Sequence, residues 1–381
     1  MSCAPTPAPT PTSDAVELAN LKRKYATLEA KHAVMEAQGG RSAEIAQINM
    51  GRGLRRIVDM FADPRDLVSE NDRREELLAN GKEVESTPEQ DTTYRSYMEL
   101  IKRVPLLKHL LEQGEEEAIS QLYRNLRKGS DMARGDDTSK LKTATVGWVD
   151  TLFGVSSPPL RPGTKHERGL DNDHTGRLIC PAEYAWDDTD KIREGDPDFQ
   201  VTAHSWPNFM YADYQCDPED VEKGFLKSHL MAFKHIYTSP SSANASDDAS
   251  DEQPTKRAKN TIGTSTRSSV AKLINLDKVT PRSIAYVAVQ LRFALSNASS
   301  WRLVDIDFDH IEFYGAVIEY FERAPGPRSQ AKADKLLEWW NRQIFGRRTG
   351  ASTESDRAHR PASSSVALLA AHRQALEEGE N

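Results

Sequence analysis

The sequence lacks the long apolar runs, the leader pattern and the cysteine pairs that mark membrane and secreted proteins. No window approaches the roughly 18 consecutive apolar residues of a membrane-spanning helix, so none is predicted. The opening MSCAPTPAPTPTSD has neither the basic nor the apolar segment of a secretory signal, and we expect none there. The three cysteines, Cys3, Cys180 and Cys216, form an odd and sparse set, which argues against a disulfide framework and indicates a reducing compartment.

Hydrophobic residues are also scarce, at 38% of the 381 residues, while charged residues make up 28%. This balance is typical of a globular core diluted by polar, disordered segments. The net charge is −8, and sixteen Asp or Glu against nine Lys or Arg between Val146 and Tyr237 account for −7 of it. We therefore expect this central domain to repel nucleic-acid phosphates and to suit a basic segment of a protein partner.

The apolar periodicity and the helix start signals predict a mainly α-helical, multi-helix domain. Thr87-Pro88-Glu89-Gln90 has the spacing of a capping box. Asp63-Pro64 and Thr280-Pro281 each combine an N-cap residue with proline at the first helical position. Gly129 follows an amphipathic stretch and predicts a helix end there.

One segment, 155–220, breaks every long periodicity with prolines but keeps its aromatic residues. Disordered segments are poor in aromatics, so this composition predicts an ordered, irregular segment packed on the helices. Its rings are Trp186, Phe199, Trp206, Phe209, Tyr211 and Tyr214.

These patterns divide the chain into five parts. The predicted parts are a disordered 1–13, a coiled-coil helix at 14–38, a helical connector at 41–86, a helical domain at 88–346 with a disordered insertion at 239–269, and a disordered tail at 347–381.

The segment 14–38 carries apolar residues at 3-4-3-4-3 spacing, which is typical of a coiled-coil seam. The seam consists of Leu18, Leu21, Tyr25, Leu28, His32 and Met35. The flanking positions 17, 24 and 31 are opposite in charge to positions 22, 29 and 36, as a parallel homodimer requires. The alternative is a single amphipathic helix that folds back on its own core.

Within the predicted insertion, a short basic cluster stands on an exposed linker. Lys256, Arg257 and Lys259 form a candidate nuclear import signal. We therefore expect a nuclear or cytoplasmic protein, with the nucleus favoured.

The densest group of metal-ligating side chains lies between 166 and 174. His166, Asp171, Asp173 and His174 are of the types that hold a divalent metal and activate water. The alternative is a polar loop whose Asp and Asn residues form turns. The spacing of Cys216, His229 and His235 matches half of a zinc finger, but the leading cysteine pair is absent.

Two charged motifs favour structural interpretations. Asp305–Glu312 resembles the start of a calcium loop, but the required glycine and the final glutamate are missing, so we expect an extended lead-in with Asp309 capping the next helix. The arginines of Arg52–Arg56 could contact phosphates, although a solvated helix face after a glycine hinge is the favoured interpretation.

Several strings of the sequence resemble a family of uncharacterised proteins expanded in mushroom-forming fungi. The strings span Gly147–Pro181, Trp206–Tyr211, Phe233–Ala243, Ile284–Ser296 and Leu336–Gly346. The resemblance covers roughly residues 90–346 and implies that the insertion at 239–269 interrupts one domain. It implies no activity, so it supplies no catalytic residue.

Together these features predict a non-enzymatic nuclear interaction protein that dimerises through the Leu18–Met35 seam and presents its Trp186–Tyr214 surface to a protein partner. The sequence contains no G-x-S-x-G, P-loop, G-x-G-x-x-G or H-E-x-x-H motif. No catalytic, cofactor-binding or metal-ligating residue is assigned, and no cofactor is expected. The alternatives are a metal-dependent hydrolase or nuclease using the His166–His174 cluster, and DNA association through 41–58 and 254–259.

Overall fold

The computed structural model describes residues 39–240 and 269–346, together with Lys22. The predicted mainly α-helical fold is confirmed. The helices are α1 (39–57), α2 (Pro64–Ala79), α3 (Pro88–Arg103), α4 (Pro105–Gln113), α5 (Glu116–Phe153), α6 (Asp173–Ile179), α7 (Thr189–Glu194), α8 (Leu230–Tyr237), α9 (Val270–Leu273), α10 (Pro281–Leu295), α11 (His310–Glu322) and α12 (Pro327–Phe345). Strands β1 (Val304–Asp305) and β2 (Phe308–Asp309) form an antiparallel hairpin before α11. None of the described helices has the length and apolar content needed to cross a bilayer.

Several predicted features fall on residues outside this description. They are the segments 1–13 and 347–381, the seam residues Leu18, Leu21, Tyr25, Leu28, His32 and Met35, and the import residues Lys256, Arg257 and Lys259.

The predicted helix starts are confirmed by their capping hydrogen bonds. The Thr87 side chain accepts a hydrogen bond from the Gln90 backbone N–H, and the Gln90 side chain accepts one from the Thr87 N–H. The Asp309 carboxylate caps α11 by accepting from the N–H groups of Ile311 (2.7 Å) and Glu312 (3.2 Å). These bonds satisfy N–H groups that have no partner inside the helix.

Helix α10 is the centre of the domain. Every one of its residues after Pro281 is buried, and it packs against α5, α6, α8 and α11. A helix buried on all sides is apolar all round, and each polar side chain on it needs a partner within the protein.

Gly129 is not the helix end that the sequence predicted, because α5 continues through it to Phe153. It lies where α1 crosses α5, and a Cβ at Gly129 would lie 1.9 Å from the carbonyl oxygen of Ile48. On the other helix, a Cβ at Gly51 would lie 2.2 Å from the Leu126 carbonyl oxygen. The two glycines therefore let the two backbones approach more closely than any side chain would allow.

The segment 41–86, predicted as a connector, packs into the same core as the later helices. Leu54, Ile57, Met60 and Leu67 are buried members of that core. The Met60 backbone N–H also donates a hydrogen bond to the Tyr314 hydroxyl at 3.2 Å. This segment and the helices of 88–346 therefore share one folded unit.

The described residues at the two ends of the predicted insertion, Pro240 and Ser269, lie next to each other. Pro240 and Ser269 form a β-bridge, and the Val270 N–H donates to the Ser239 carbonyl oxygen at 3.2 Å. Residues 241–268 between them lie outside the described chain. The described residues on the two sides of this gap therefore meet, and the interruption of one domain by the insertion, which the family resemblance implies, stays a prediction.

The segment 155–220 is ordered and irregular, as predicted, and its rings pack onto the helices. It consists of short helices and single 3-10 turns. Trp206 lies 4.9 Å from Phe225 and 6.0 Å from Phe313 of α11, measured between ring centroids. Phe209 lies 6.5 Å from Phe313. Rings at these separations supply the contact area that regular elements would otherwise provide.

A buried ion pair joins three helices. Arg56 of α1 donates two hydrogen bonds to the Asp137 carboxylate of α5, at 2.8 and 2.7 Å, and both side chains are buried. The Tyr286 hydroxyl of α10 donates a third bond to Asp137 at 2.8 Å. Arg52 is also buried and pairs with Asp136, so the predicted solvated helix face at Arg52–Arg56 is wrong. These arginines are occupied by carboxylates and are not free for phosphates.

We expect Gly129→Ala to destabilise the domain by about 2–3 kcal/mol or more, since the new Cβ would overlap backbone. Gly135→Ala on the same helix is the matched control, because a Cβ there meets nothing within 4 Å. That substitution should stabilise α5 by about 0.5–1 kcal/mol. Urea unfolding of the two variants would measure the difference, and equal stabilities would contradict the close crossing.

We expect Asp137→Leu alone to cost about 3–5 kcal/mol, because it leaves the Arg56 guanidinium buried without a carboxylate. The double variant Arg56→Met/Asp137→Leu should recover much of this loss, since no uncompensated charge remains. Chemical denaturation of the single and double variants forms a cycle that measures the coupling. If the loss of stability in the double variant equals the sum of the losses in the two single variants, the pair is not coupled.

Candidate functional site

The residues of the predicted metal cluster each have different neighbours. Asp173 pairs with Arg193 at 2.5 Å, and the Asn297 amide donates to Asp171 at 3.3 Å. His166 is exposed, and His174 lies half-buried beside the ring of Phe153. Over 39–240 and 269–346, no three His, Cys, Asp or Glu side chains converge to hold a metal ion. The geometry therefore gives no support to the metal-dependent alternative.

The two histidines of the zinc-finger-like spacing, His229 and His235, also lie in different surroundings. His229 is fully buried beside Trp340, at 5.1 Å between ring centroids, and neither ring nitrogen has a hydrogen-bond partner. Burial lowers the pKa of His229 to about 3, so it stays neutral at physiological pH. His235 contacts a different ring, that of Trp148, at 5.4 Å.

The buried cysteine is not a reactive nucleophile. Burial raises the pKa of the Cys180 thiol to about 12, with a smaller contribution from the charge of Glu183. Because the thiolate is the nucleophilic form, a thiol with this pKa is almost entirely unreactive at neutral pH.

A cleft opens between residues 169–201 and residues 292–307, and it encloses about 230 Å³. Its inner wall is made of buried residues and its rim of exposed ones. The buried set includes Gly169, Ile179, Ile192, Arg292 and Ser296. The exposed set includes Asp171, Arg193, Gln200, Ile306 and Asp307. The cleft therefore combines apolar walls, a rim that carries Asp171 and Asp307 together with Arg193, and the buried cation Arg292 at its base.

The rim carries an exposed and strained apolar turn. Ile306 lies between β1 and β2 with φ +58°, in the left-handed region that favours glycine, and 81% of its surface is exposed. A β-branched residue is rarely found there, and such strain costs of order 1–3 kcal/mol. Leu303 and Val304 beside it are also exposed. Ile306 is therefore largely open to solvent, and about half of the surface of Leu303 and of Val304 is open as well.

Arg292 is a buried cation with unfilled hydrogen-bonding capacity. It is 4% exposed, and its Nε and Nη1 atoms have no hydrogen-bond partner. Its guanidinium carbon stands 4.3 Å from the ring centroid of Phe308. Burial lowers the pKa of Arg292 to about 10, opposed by the charge of Asp305, so it remains protonated at neutral pH.

Two neighbouring cations, in contrast, hold the C-terminal end of α10. Arg168 donates to the carbonyl oxygens of Ala294 (2.7 Å) and Lys142 (2.6 Å). The Lys165 amine bonds to the Ser296 hydroxyl at 3.4 Å. Positive side chains are favourable at a helix C-terminus, whose carbonyl groups carry partial negative charge. Arg168 and Lys165 are therefore structural. Arg292 also lies in the last turn of α10, but its side chain makes no hydrogen bond to a carbonyl group of the described residues.

The aromatic surface that the sequence predicted between Trp186 and Tyr214 is not an open face. Phe209 and Tyr211 are buried in the core. The Trp186 ring covers Gly176 so closely that a Cβ there would lie 2.1 Å from it. Among the exposed large apolar side chains of the described residues, Leu303, Val304 and Ile306 lie together at the β1–β2 hairpin. Sequence reasoning missed Arg292, although a lone arginine in the apolar run of α10 was a visible signal.

We expect Arg292→Met to change the free energy of unfolding by less than about 1 kcal/mol, or to stabilise, since it removes a buried charge that makes no ion pair and no hydrogen bond with the described residues and that Asp305 and the Phe308 ring offset only in part. Arg168→Met is the matched control. It should cost about 3 kcal/mol or more, because buried carbonyl groups would lose their donors. Denaturant titration of both variants would measure this, and an equal loss in the two would make Arg292 a structural residue.

The comparisons with known proteins show the family of this chain and leave its activity open. Residues 128–345 match a family of unknown function, DUF6698, over more than half of the chain. No curated protein matches this chain, and neither does any solved structure. The matched region contains α10, the cleft and both ends of the insertion, while α1 to α4 precede it. The chain therefore belongs to DUF6698, a family of unknown function.

Proposed function

We propose that this chain is a non-enzymatic interaction protein whose helical domain binds a basic, partly apolar segment of another protein in the cleft between 169–201 and 292–307. The observation that carries the proposal is the exposed turn at Ile306, which stands in strained backbone at the cleft rim. Strained backbone persists only where the surrounding structure enforces it, and it is concentrated at binding and catalytic sites.

The apolar part of the partner segment is indicated by the hairpin. Leu303, Val304 and Ile306 are exposed, large and close together in the sequence. Exposed apolar side chains that cluster beside a concave cleft are characteristic of protein contact surfaces. The apolar cleft walls at Ile179 and Ile192 continue this surface inward.

The basic part is indicated by charge. Asp171 and Asp307 are exposed on the rim, and Asp305 lines the cleft next to them. The region Val146–Tyr237 that forms one wall has an excess of seven negative charges. A negative surface attracts lysine and arginine side chains and repels phosphate backbones, which favours a protein partner over a nucleic acid.

Two further parts of the proposal rest on sequence alone. Dimerisation through Leu18, Leu21, Tyr25, Leu28 and Met35 would place two clefts on one assembly and raise its avidity for a repeated partner. Import through Lys256, Arg257 and Lys259 would bring the protein to the nucleus.

The binding proposal predicts selective capture of basic peptides. The probe is a pool of short fluorescein-labelled peptides that mix Lys and Arg with apolar residues, and the matched pool carries Asp and Glu instead. In fluorescence anisotropy, the basic pool should bind the full chain and weaken as salt is raised, and the acidic pool should not bind. Asp171→Lys/Asp307→Lys should reduce the affinity about tenfold or more, as charge reversal at close range does.

Glu83→Lys/Glu85→Lys is the control, since it changes the net charge equally at exposed positions outside the cleft. It should leave the affinity within a factor of about two. If both pools bind alike, or if the two charge-reversal variants behave alike, the cleft is not the docking site.

A further inference from the structure

The base of the cleft carries a cation that the protein itself leaves without an acceptor. The described chain buries five arginines, and four of them have acceptors. Arg56 and Arg52 bind aspartates, Arg168 binds carbonyl groups and Arg282 binds Glu322. Arg292 differs from these four, because it has neither an ion pair nor a hydrogen-bond partner among the described residues.

A buried guanidinium of this kind is costly. Arg292 lies in the last turn of α10, but its side chain does not hydrogen-bond the end of that helix, as Arg168 and Lys165 do. The face of the Phe308 ring offsets only part of the lost hydration. A buried charge without an opposite charge or a hydrogen-bond partner is rare in proteins unless a bound group supplies that partner. Since Arg292 lines the cleft, we expect the bound group that supplies its acceptor to enter there.

The chemistry of that group follows from its surroundings. Guanidinium pairs best with planar, bidentate oxygen acceptors such as a carboxylate. Asp171, Asp305 and Asp307 line the same cleft, and Arg193, which also lines it, is paired with Asp173, so a dianion such as a phosphate monoester would be repelled. The favoured ligand therefore carries a single negative charge that pairs with Arg292 at the base of the cleft. It also carries positive charge that pairs with the aspartates of the cleft.

The size of the cleft narrows the choice further. A volume of 230 Å³ corresponds to roughly eight water molecules, which suits the last residue or two of a chain. The apolar walls suit the side chain of such a residue.

We propose that the cleft binds the C-terminal carboxylate of a basic protein segment, with the carboxylate paired to Arg292 and the upstream lysine or arginine side chains at Asp171, Asp305 and Asp307. This inference rests on the proposed function and specifies its partner as a free chain end. A free chain end carries a carboxylate, whereas an internal basic segment has an uncharged peptide group at the same position. Pairing of the carboxylate with a buried cation would therefore distinguish chain ends from internal basic segments.

The test compares two forms of the fluorescein-labelled basic peptide pool, one with a free C-terminal carboxylate and one with a C-terminal amide. With the full chain, the free-acid pool should bind about tenfold tighter or more than the amide pool. Arg292→Met should bring the free-acid pool to the affinity of the amide pool. Arg292→Lys keeps the charge but loses the planar fork, so it should retain an intermediate preference.

A measurement on the unsubstituted protein guards against a folding defect in the variants. Nα-acetyl-L-lysine should compete for the bound free-acid pool, and its amide, Nα-acetyl-L-lysinamide, should not. If the two pools bind equally while Asp171→Lys/Asp307→Lys still weakens both, the carboxylate inference is wrong and the basic docking site stands. If neither pool binds, the docking site and the inference are both wrong.

Discussion

The bidentate ion pair between Arg56 and Asp137 fixes how the domain is assembled. It joins α1 to α5, and the Tyr286 hydroxyl attaches α10 to the same carboxylate. Burying two charges costs several kcal/mol per ion, which close geometry and further hydrogen bonds have to repay. The helices are therefore held in the one arrangement that satisfies the carboxylate. Arg56 precedes the residues that match the family, so a buried carboxylate inside the matched region depends on a helix outside it.

A buried charge needs a partner, and this requirement distinguishes the arginines that stabilise the fold from Arg292. Around α10, Arg282 is matched by Glu322, and Arg168 is matched by backbone carbonyl groups at the helix end. Arg292 has no such match and lines a cleft. Burial alone does not identify it, because several arginines here are equally buried. Arg168 and Arg282 also have an unfilled Nε donor, but Arg292 is the buried arginine whose side chain makes no hydrogen bond and no ion pair with the described residues. A buried group of this kind calls for an explanation, and a bound ligand is one.

The aromatic segment 155–220 shows how an irregular region can serve as core. Its rings at Trp206 and Phe209 meet Phe313 of α11, and this packing orders a backbone with little regular hydrogen bonding. Once these rings are used for packing, they are not available for a partner. The proposed contact surface is instead the hairpin that lies across the cleft from this segment, where 81% of the surface of Ile306 is exposed.

The sequence by itself determined the helical class, the capping of α3 and α11, and the order of the aromatic segment, because these depend on neighbours in the chain or on composition. It also indicated the insertion at 239–269, because a polar stretch cannot contribute to a core. Only the tertiary structure decided that Gly129 is a crossing point and not a helix end, since that depends on Gly51, far away in the sequence. It likewise decided that Arg56 has a carboxylate partner and that Arg292 has none. Local pattern records which side chains are charged, but the pairing of buried charges depends on which helices are brought together, and that is fixed only when the chain folds.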